Sequence, residues 1–222
     1  MSNTAIGRGK KGSKLWIQNV IENEAMRLKL NNMIANNDLI WLSPLSPEYR
    51  EYQLNEQYIY THLGLNKEET EKLFSFWPNR QPQWDGIAIS QDKATLYLVE
   101  AKAHLEELKS KCMAKNENSI TKIHTVLKSV MNEHYATGNF DAWLNDYYQL
   151  ANRLTFLKKL NEKHFGRIKS VKLVLLNFVN DYTYKPTDKV EWQKHYKEVF
   201  KEMIGNEDAP SDVLVINYNV SD

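Results

Sequence analysis

The chain has 222 residues, of which 42% are hydrophobic and 26% charged, the composition of an ordinary globular domain with a full core. The formal net charge is +1, from 29 Lys and Arg against 28 Asp and Glu, so no overall attraction draws the chain to nucleic acid, and a surface that binds one must concentrate its positive charge locally. No apolar run approaches the ~20 residues of a membrane span, and the single Cys112 excludes an intrachain disulfide, which fits a reducing cytoplasm.

The first residues are polar and basic, and they predict a flexible tail over residues 1–11, followed by a single domain over residues 12–222. A helix is predicted over residues 14–31. On a helical projection Glu24 falls at the centre of its apolar face, where an unpaired charge is costly. Glu24 therefore needs a partner, which is either a nearby arginine such as Arg27 or Arg153 or a functional site.

The middle of the chain contains a short apolar stretch over residues 39–42, which predicts a brief strand or a loop plug. Helices are predicted over residues 48–63 and 67–76. Residues 77–84 contain two prolines, which disfavour helix and predict an extended lead-in to the next element. Arg80 lies in this lead-in and is a candidate for substrate contact.

A β-hairpin is predicted from the next stretch, with strands over residues 86–89 and 95–102 around a short polar turn. Asp85 stands where the first strand begins, and Glu100 and Lys102 stand where the second ends. Side chains alternate along a strand, so Glu100 and Lys102 share one face. The hairpin brings Asp85 beside them, and two neighbouring carboxylates repel each other unless they share a cation.

The remainder alternates predicted helices, over residues 104–114, 119–135, 140–162 and 188–204, with predicted strands over residues 171–179 and 213–218. In the 140–162 helix Gln149 and Arg153 lie one turn apart at the edge of an apolar stripe. The planar guanidinium of Arg153 suits a phosphate, although pairing with Glu24 or Asp146 would explain it equally well. His104 stands two residues past Lys102, where contact with phosphate or proton transfer competes with an ordinary surface role.

The Asp85, Glu100 and Lys102 set resembles the motif of the PD-(D/E)XK nuclease superfamily. The resemblance covers roughly residues 12–180 by element order, and it departs from the motif in having Trp84 where a proline precedes the first acid. It implies an α/β fold with a restriction-endonuclease-like core, a central mixed β-sheet flanked by helices, and extra helices.

The resemblance also implies a metal-dependent hydrolase of phosphodiester bonds that acts on nucleic acid, with DNA favoured, and uses Mg²⁺ or Mn²⁺. Lys102 would position or activate the attacking water. The implied metal ligands are Asp85, Glu100, Ala101 and Glu24, and the implied substrate contacts are Gln149, Arg153, His104 and Arg80. No membrane is expected as a partner, and a homodimer is left open.

A second hypothesis keeps the same scaffold without catalysis. In it the two acids and the lysine form a structural ion-pair cluster, and the chain binds nucleic acid or protein. Other enzyme classes lack support, since the six His form no HExxH or Cys/His zinc spacing and no Gly-x-Ser-x-Gly elbow is present.

Overall fold

A computed structural model describes residues 6–221, and within that range the chain forms an α/β fold built on a five-stranded mixed sheet with flanking helices. No helix in that range combines the length and apolar character needed to cross a membrane. The helices are α1 (Gly12–Glu22), α2 (Glu24–Ala35), α3 (Gln57–His62), α4 (Lys67–Leu73), α5 (Glu117–His134), α6 (Phe140–Asn145), α7 (Tyr148–Asn161) and α8 (Lys189–Ile204). The strands are β1 (Leu39–Ser43), β2 (Gly86–Ser90), β3 (Thr95–Lys102), β4 (Ser170–Val179) and β5 (Val213–Asn219).

The strands follow the sheet in chain order, β1-β2-β3-β4-β5. The first three are antiparallel to one another, while β3, β4 and β5 run parallel. In the β2–β3 hairpin Gly86 lies opposite Val99, so β3 extends beyond the start of β2. Glu100, Ala101 and Lys102 occupy that extension and pair only with β4.

The two faces of the sheet have separate cores. On one face Ile87 and Leu98 pack with residues of α5, α7 and α8. On the other face Ala88 and Val99 pack with the apolar side chains of α1 and α2. Because side chains alternate along β3, Glu100 and Lys102 lie on the same face as Leu98 and point toward α7.

Several predicted elements are confirmed with small changes in their ends. The 86–89 and 95–102 hairpin corresponds to β2 and β3, and the 39–42 stretch is the edge strand β1. The predicted elements over residues 119–135, 171–179, 188–204 and 213–218 correspond to α5, β4, α8 and β5. β4 is an almost continuous apolar run because helices cover both of its faces.

The predicted helix over residues 14–31 is wrong as a single helix. Asn23 has an extended backbone, and its side chain accepts a hydrogen bond from the Met26 amide at 3.0 Å, so it ends α1 and caps α2. An asparagine that bonds its own backbone in this way competes with helix continuation. The helical projection across the break therefore does not apply to Glu24.

Three other helix predictions were too long, and the predicted helix over residues 140–162 is wrong as a single helix, because it divides into α6 and α7 at Tyr147. Residues 48–56 are irregular, and only α3 is helical in the predicted 48–63 segment. The 104–114 segment contains only a short 3-10 turn over Leu105–Leu108. After this turn Ser110 forms an isolated β-bridge with Tyr147. That bridge also separates α6 from α7, because Tyr147 leaves the helical conformation to make it. The 67–76 helix ends at Leu73.

The predicted tail is anchored in its second half. The Gly9 amide donates to Oε1 of Gln18 at 2.7 Å, and Arg8 donates to Oδ1 of Asn19 at 2.7 Å. These bonds hold residues 8 and 9 against α1. Residues 1–5 of the predicted tail lie outside the described residues.

Candidate active site

The end of the β2–β3 hairpin brings Asp85 to the backbone of β3. The Ala101 amide donates to Oδ2 of Asp85 at 2.8 Å, in the position where β2 no longer supplies a strand partner. The amide and carbonyl of one strand residue lie on the same edge of the strand, so the Ala101 carbonyl also faces the Asp85 side. The predicted proximity of Asp85 to the end of β3 is confirmed.

Glu100 is the centre of a buried ion-pair cluster. Lys102 Nζ donates to its Oε1, and Arg153 Nε donates to its Oε2 at 2.7 Å, while Arg153 Nη2 forms an ion pair with the same oxygen at 2.6 Å. The exposed fraction is 3% for Glu100, 7% for Lys102 and 3% for Arg153, so these charges interact with little solvent screening. Arg153 therefore pairs with Glu100, and neither Glu24 nor Asp146 is its partner.

The first turns of α7 contribute Gln149 and Arg153 to the cluster. Gln149 Oε1 accepts a hydrogen bond from Lys102 Nζ at 3.0 Å. Arg153, one turn further along, donates from Nη2 to the Gln83 carbonyl at 2.7 Å, and its guanidinium lies 4.4 Å from the ring centroid of Trp84. The predicted placement of Gln149 and Arg153 beside the acids and the lysine is confirmed.

The pKa values of Asp85 and Glu100 are shifted in opposite directions. Burial and the neighbouring Glu100 carboxylate raise the pKa of Asp85 from 3.8 to about 8. Burial opposes ionisation of Glu100 as well, but the adjacent Arg153 and Lys102 outweigh it and hold the pKa of Glu100 below its ordinary value. Burial also opposes the charge on Lys102, yet Glu100 and Asp85 raise the pKa of Lys102, which remains an ammonium.

Glu51 is a third acid beside the cluster that the sequence did not indicate. The Trp84 amide donates to the Tyr52 carbonyl at 3.1 Å, which lays residues 51 and 52 alongside the lead-in to β2. Burial raises the pKa of Glu51, with a further contribution from the charge of Glu100, while Lys14 Nζ at 3.8 Å lowers it. The pairing is nonlocal, so no local sequence pattern reports it.

Glu24 is not brought to the cluster. It is exposed in the first turn of α2, and α2 packs on the face of the sheet opposite Glu100. The expected role of Glu24 as a metal ligand depended on a continuous helix, and the break at Asn23 removes that basis.

His104 and Arg80 lie at the periphery. His104 Nε2 is 3.2 Å from Oε1 of Glu107, and its ring centroid is 5.2 Å from that of Tyr184. Arg80 is exposed and lines a cavity together with Gln149 and Arg153. Contact of either residue with a substrate remains a prediction.

The oxygen atoms at this site are of the chemical type that binds a hard divalent cation. The Asp85 and Glu100 carboxylates and the Ala101 carbonyl are the oxygen ligands that Mg²⁺ and Mn²⁺ favour. Both oxygens of Glu100 are bonded to cationic side chains, so an ion held by Glu100 would share those oxygens with Lys102 and Arg153 or replace one of them. Over residues 6–221 no group of three or more His, Cys, Asp or Glu side chains has an arrangement that could hold a metal ion.

Comparisons with protein-family models, with curated proteins and with solved structures gave no match to this chain. The functional argument therefore depends on the residues and their geometry.

Proposed function

We propose that the protein is a metal-dependent nuclease of the PD-(D/E)XK type with a restriction-endonuclease-like core. The observation that carries the proposal is the junction of Asp85, Glu100 and Lys102 at one end of the hairpin, with Asp85 held on the Ala101 amide. The chemistry would be hydrolysis of phosphodiester bonds in nucleic acid, with DNA as the favoured substrate. The near-equal numbers of acidic and basic residues require positive charge to be concentrated on the surface that meets the nucleic acid.

In this proposal Asp85, Glu100 and the Ala101 carbonyl would hold Mg²⁺ or Mn²⁺, and the ion would polarise the scissile phosphate and lower the pKa of a bound water. Lys102 donates hydrogen bonds as an ammonium, orienting the water and balancing negative charge that develops in the transition state. Gln149 fixes the position of Lys102 through its 3.0 Å bond. Arg153 offers a planar, two-donor contact to a phosphate once it leaves Glu100.

The proposed reaction is a displacement at phosphorus. The water oxygen forms a bond to the phosphorus and gives up a proton to solvent, while the bond from phosphorus to the leaving sugar oxygen breaks. The leaving oxygen takes a proton and becomes a hydroxyl. Lys102, with its raised pKa, is a donor in this scheme and not the base.

A noncatalytic scaffold is the second candidate, and one observation favours it. Glu100 has both carboxylate oxygens satisfied by Lys102 and Arg153, which is a complete structural ion-pair cluster without a metal. In that case the chain uses its nuclease-like architecture to bind nucleic acid or protein, and Asp85 has no ion to hold.

Calorimetric titration of the purified chain with Mg²⁺ and Mn²⁺ separates the two candidates. The nuclease proposal expects binding by the wild type, loss of binding in Asp85→Asn, and unchanged binding in Asp38→Asn. Asp38 is the matched control, because it is an exposed acid next to Leu39, which pairs with Ser90 at the opposite end of the hairpin.

Cleavage of labelled DNA and RNA is then measured with the same three proteins. Loss of cleavage in Asp85→Asn with retained cleavage in Asp38→Asn supports the nuclease. A folded wild type that binds neither ion refutes it and leaves the scaffold.

A further inference from the structure

Two adjoining cavities form a groove that leads away from the acid cluster. A cavity of about 330 Å³ is bounded by Gln149 and Arg153, the side chains that contact Lys102 and Glu100. A second cavity of about 450 Å³ extends toward Met113 and the start of α5. The two have five lining residues in common, Arg80, Gln81, Pro82, Tyr148 and Asn152, so they are one continuous depression, called here the Arg80 groove.

The Arg80 groove concentrates positive charge in a chain that is otherwise balanced. Arg80 and Lys115 are exposed at its rim, and Arg153, which is paired with Glu100, lies at its inner end. Among the described residues that line it there is no Asp or Glu, whereas the whole chain has 29 basic and 28 acidic residues. A groove with cations and without acids favours a polyanion.

Several apolar side chains lie between these cations. Tyr148 is half-buried, Pro78 and Pro82 are rigid, and Met113 has 77% of its surface exposed. Aromatic and apolar platforms along a basic groove are the features that bind single-stranded nucleic acid, because every base has a face that can stack. A duplex presents its phosphates outward and requires a broad basic face, whereas the exposed cations that line this groove are Arg80 and Lys115.

Amide side chains add polar contacts to the groove. Gln81 is 5% exposed, and its Oε1 has no hydrogen-bond donor within residues 6–221. A buried acceptor without a donor costs free energy. A donor brought in by a ligand, such as the exocyclic amine of a base, would satisfy it after a small side-chain movement.

We propose that the Arg80 groove binds a single-stranded segment of nucleic acid and delivers one of its phosphates to Arg153 and Lys102. Arg80 and Lys115 hold phosphates along the strand, and Tyr148 stacks on a base. The delivery step rests on the proposed nuclease function, while binding in the groove requires only the groove residues.

Fluorescence anisotropy with labelled single-stranded and duplex oligonucleotides, of DNA and of RNA, tests binding in EDTA, where metal-dependent cleavage cannot occur. The double variant Arg80→Ala/Lys115→Ala changes two exposed cations, so the fold should be retained. Its matched control is Lys163→Ala/Lys169→Ala, which removes two exposed cations near the far end of α7.

We expect the wild type to bind the single strands more tightly than the duplex. The Arg80→Ala/Lys115→Ala variant should bind single strands roughly tenfold more weakly or worse. The slope of log affinity against log salt should become shallower by the amount expected for the loss of about two phosphate contacts. Tyr148→Ala should weaken binding with little change in salt dependence, since it removes stacking and not charge.

Equal losses in the two double variants, tighter binding of duplex than of single strands, or no binding of single strands by the wild type at low salt would each overturn the groove proposal. If the wild type binds single strands through the groove but never cleaves them with Mg²⁺ or Mn²⁺, the groove stands and the nuclease proposal fails. If it cleaves nucleic acid and the groove variants cleave and bind normally, the nuclease stands and the groove proposal fails.

Discussion

Two groups of ion pairs differ sharply in their surroundings. Around Glu100, two cationic side chains contact one carboxylate with almost no exposure to water. Near the N-terminus, Arg8 donates to Glu22 at 2.6 Å, and the Tyr49 hydroxyl donates to the same carboxylate at 2.7 Å, with the Arg8 and Glu22 side chains 46% and 42% exposed. The two groups contain similar bonds, and only the first had to be removed from solvent.

The difference indicates what each group contributes. Removing charges from water is expensive, and a buried pair often gains no more stability than apolar side chains of the same size would. An exposed pair costs little to form and contributes little. The Glu100 cluster is therefore hard to explain by stability alone, and the proposed role in binding or catalysis would account for its presence next to Asp85.

Replacement of Glu100 with Ala should give the largest effect. Lys102 and Arg153 would each be left buried without their main partner, and we expect the free energy of unfolding to fall by about 3–5 kcal/mol. Urea unfolding followed by circular dichroism measures it. The triple variant Glu100→Leu/Lys102→Met/Arg153→Met is the control, because it removes every charge and should recover most of the loss; a triple variant as unstable as Glu100→Ala would contradict this view of the cluster.

Asp85→Asn should stabilise the metal-free protein in a pH-dependent way. Because the folded-state pKa of Asp85 is raised from 3.8 to about 8, the stability that depends on its protonated form is present below about pH 4 and is lost as the pH rises to about 8. Asn resembles the protonated form and can still accept the Ala101 hydrogen bond. We expect the gain to increase by up to ~1.4 kcal/mol for each pH unit between about pH 4 and pH 8, and to level off above that range.

Thermal melts of wild type and Asp85→Asn in EDTA across this pH range measure the gain. The two curves should converge toward acidic pH and separate toward alkaline pH. The melting temperature of Asp38→Asn should follow that of the wild type throughout. A constant difference in melting temperature between the wild type and Asp85→Asn would contradict the raised pKa of Asp85.

Arg8→Ala should give the smallest effect. The Arg8–Glu22 contact is exposed and screened by solvent and salt, so its loss should change the melting temperature by no more than the scatter between repeat melts. Differential scanning calorimetry at low and high salt is the measurement. A loss comparable to that of Glu100→Ala would show that exposure does not separate the two groups.

The parts of the site that the sequence predicted are those set by local geometry. Asp85, Glu100 and Lys102 lie on one hairpin, and strand alternation with a short turn fixes their relation. Gln149 and Arg153 lie one turn apart on a helix with a clear apolar stripe, and both reach the cluster. In each set neighbours in the chain decide the spacing of the residues, whereas the contact between the two sets joins segments about 50 residues apart.

The parts that the sequence did not predict depend on contacts between distant segments. Glu51 reaches the cluster only because residues 51 and 52 run beside Trp84, and that segment was predicted as helix. Glu24 was expected at the metal because Asn23 was not recognised as the start of a new helix. The Arg80 groove combines the lead-in to β2, the segment before α5 and the start of α7, and no single stretch reveals it.

The sequence by itself determined the hairpin, the apolar β4 strand, the stripe of α7 and the grouping of two acids with a lysine, because periodicity and turn chemistry act over a few residues. The tertiary structure alone decided that Arg153 neutralises Glu100, that Glu51 and not Glu24 is the third acid nearby, and that a basic groove opens beside the cluster. Those outcomes depend on which distant segments pack together, and the balance of burial and charge that selects them appears only when the chain is folded.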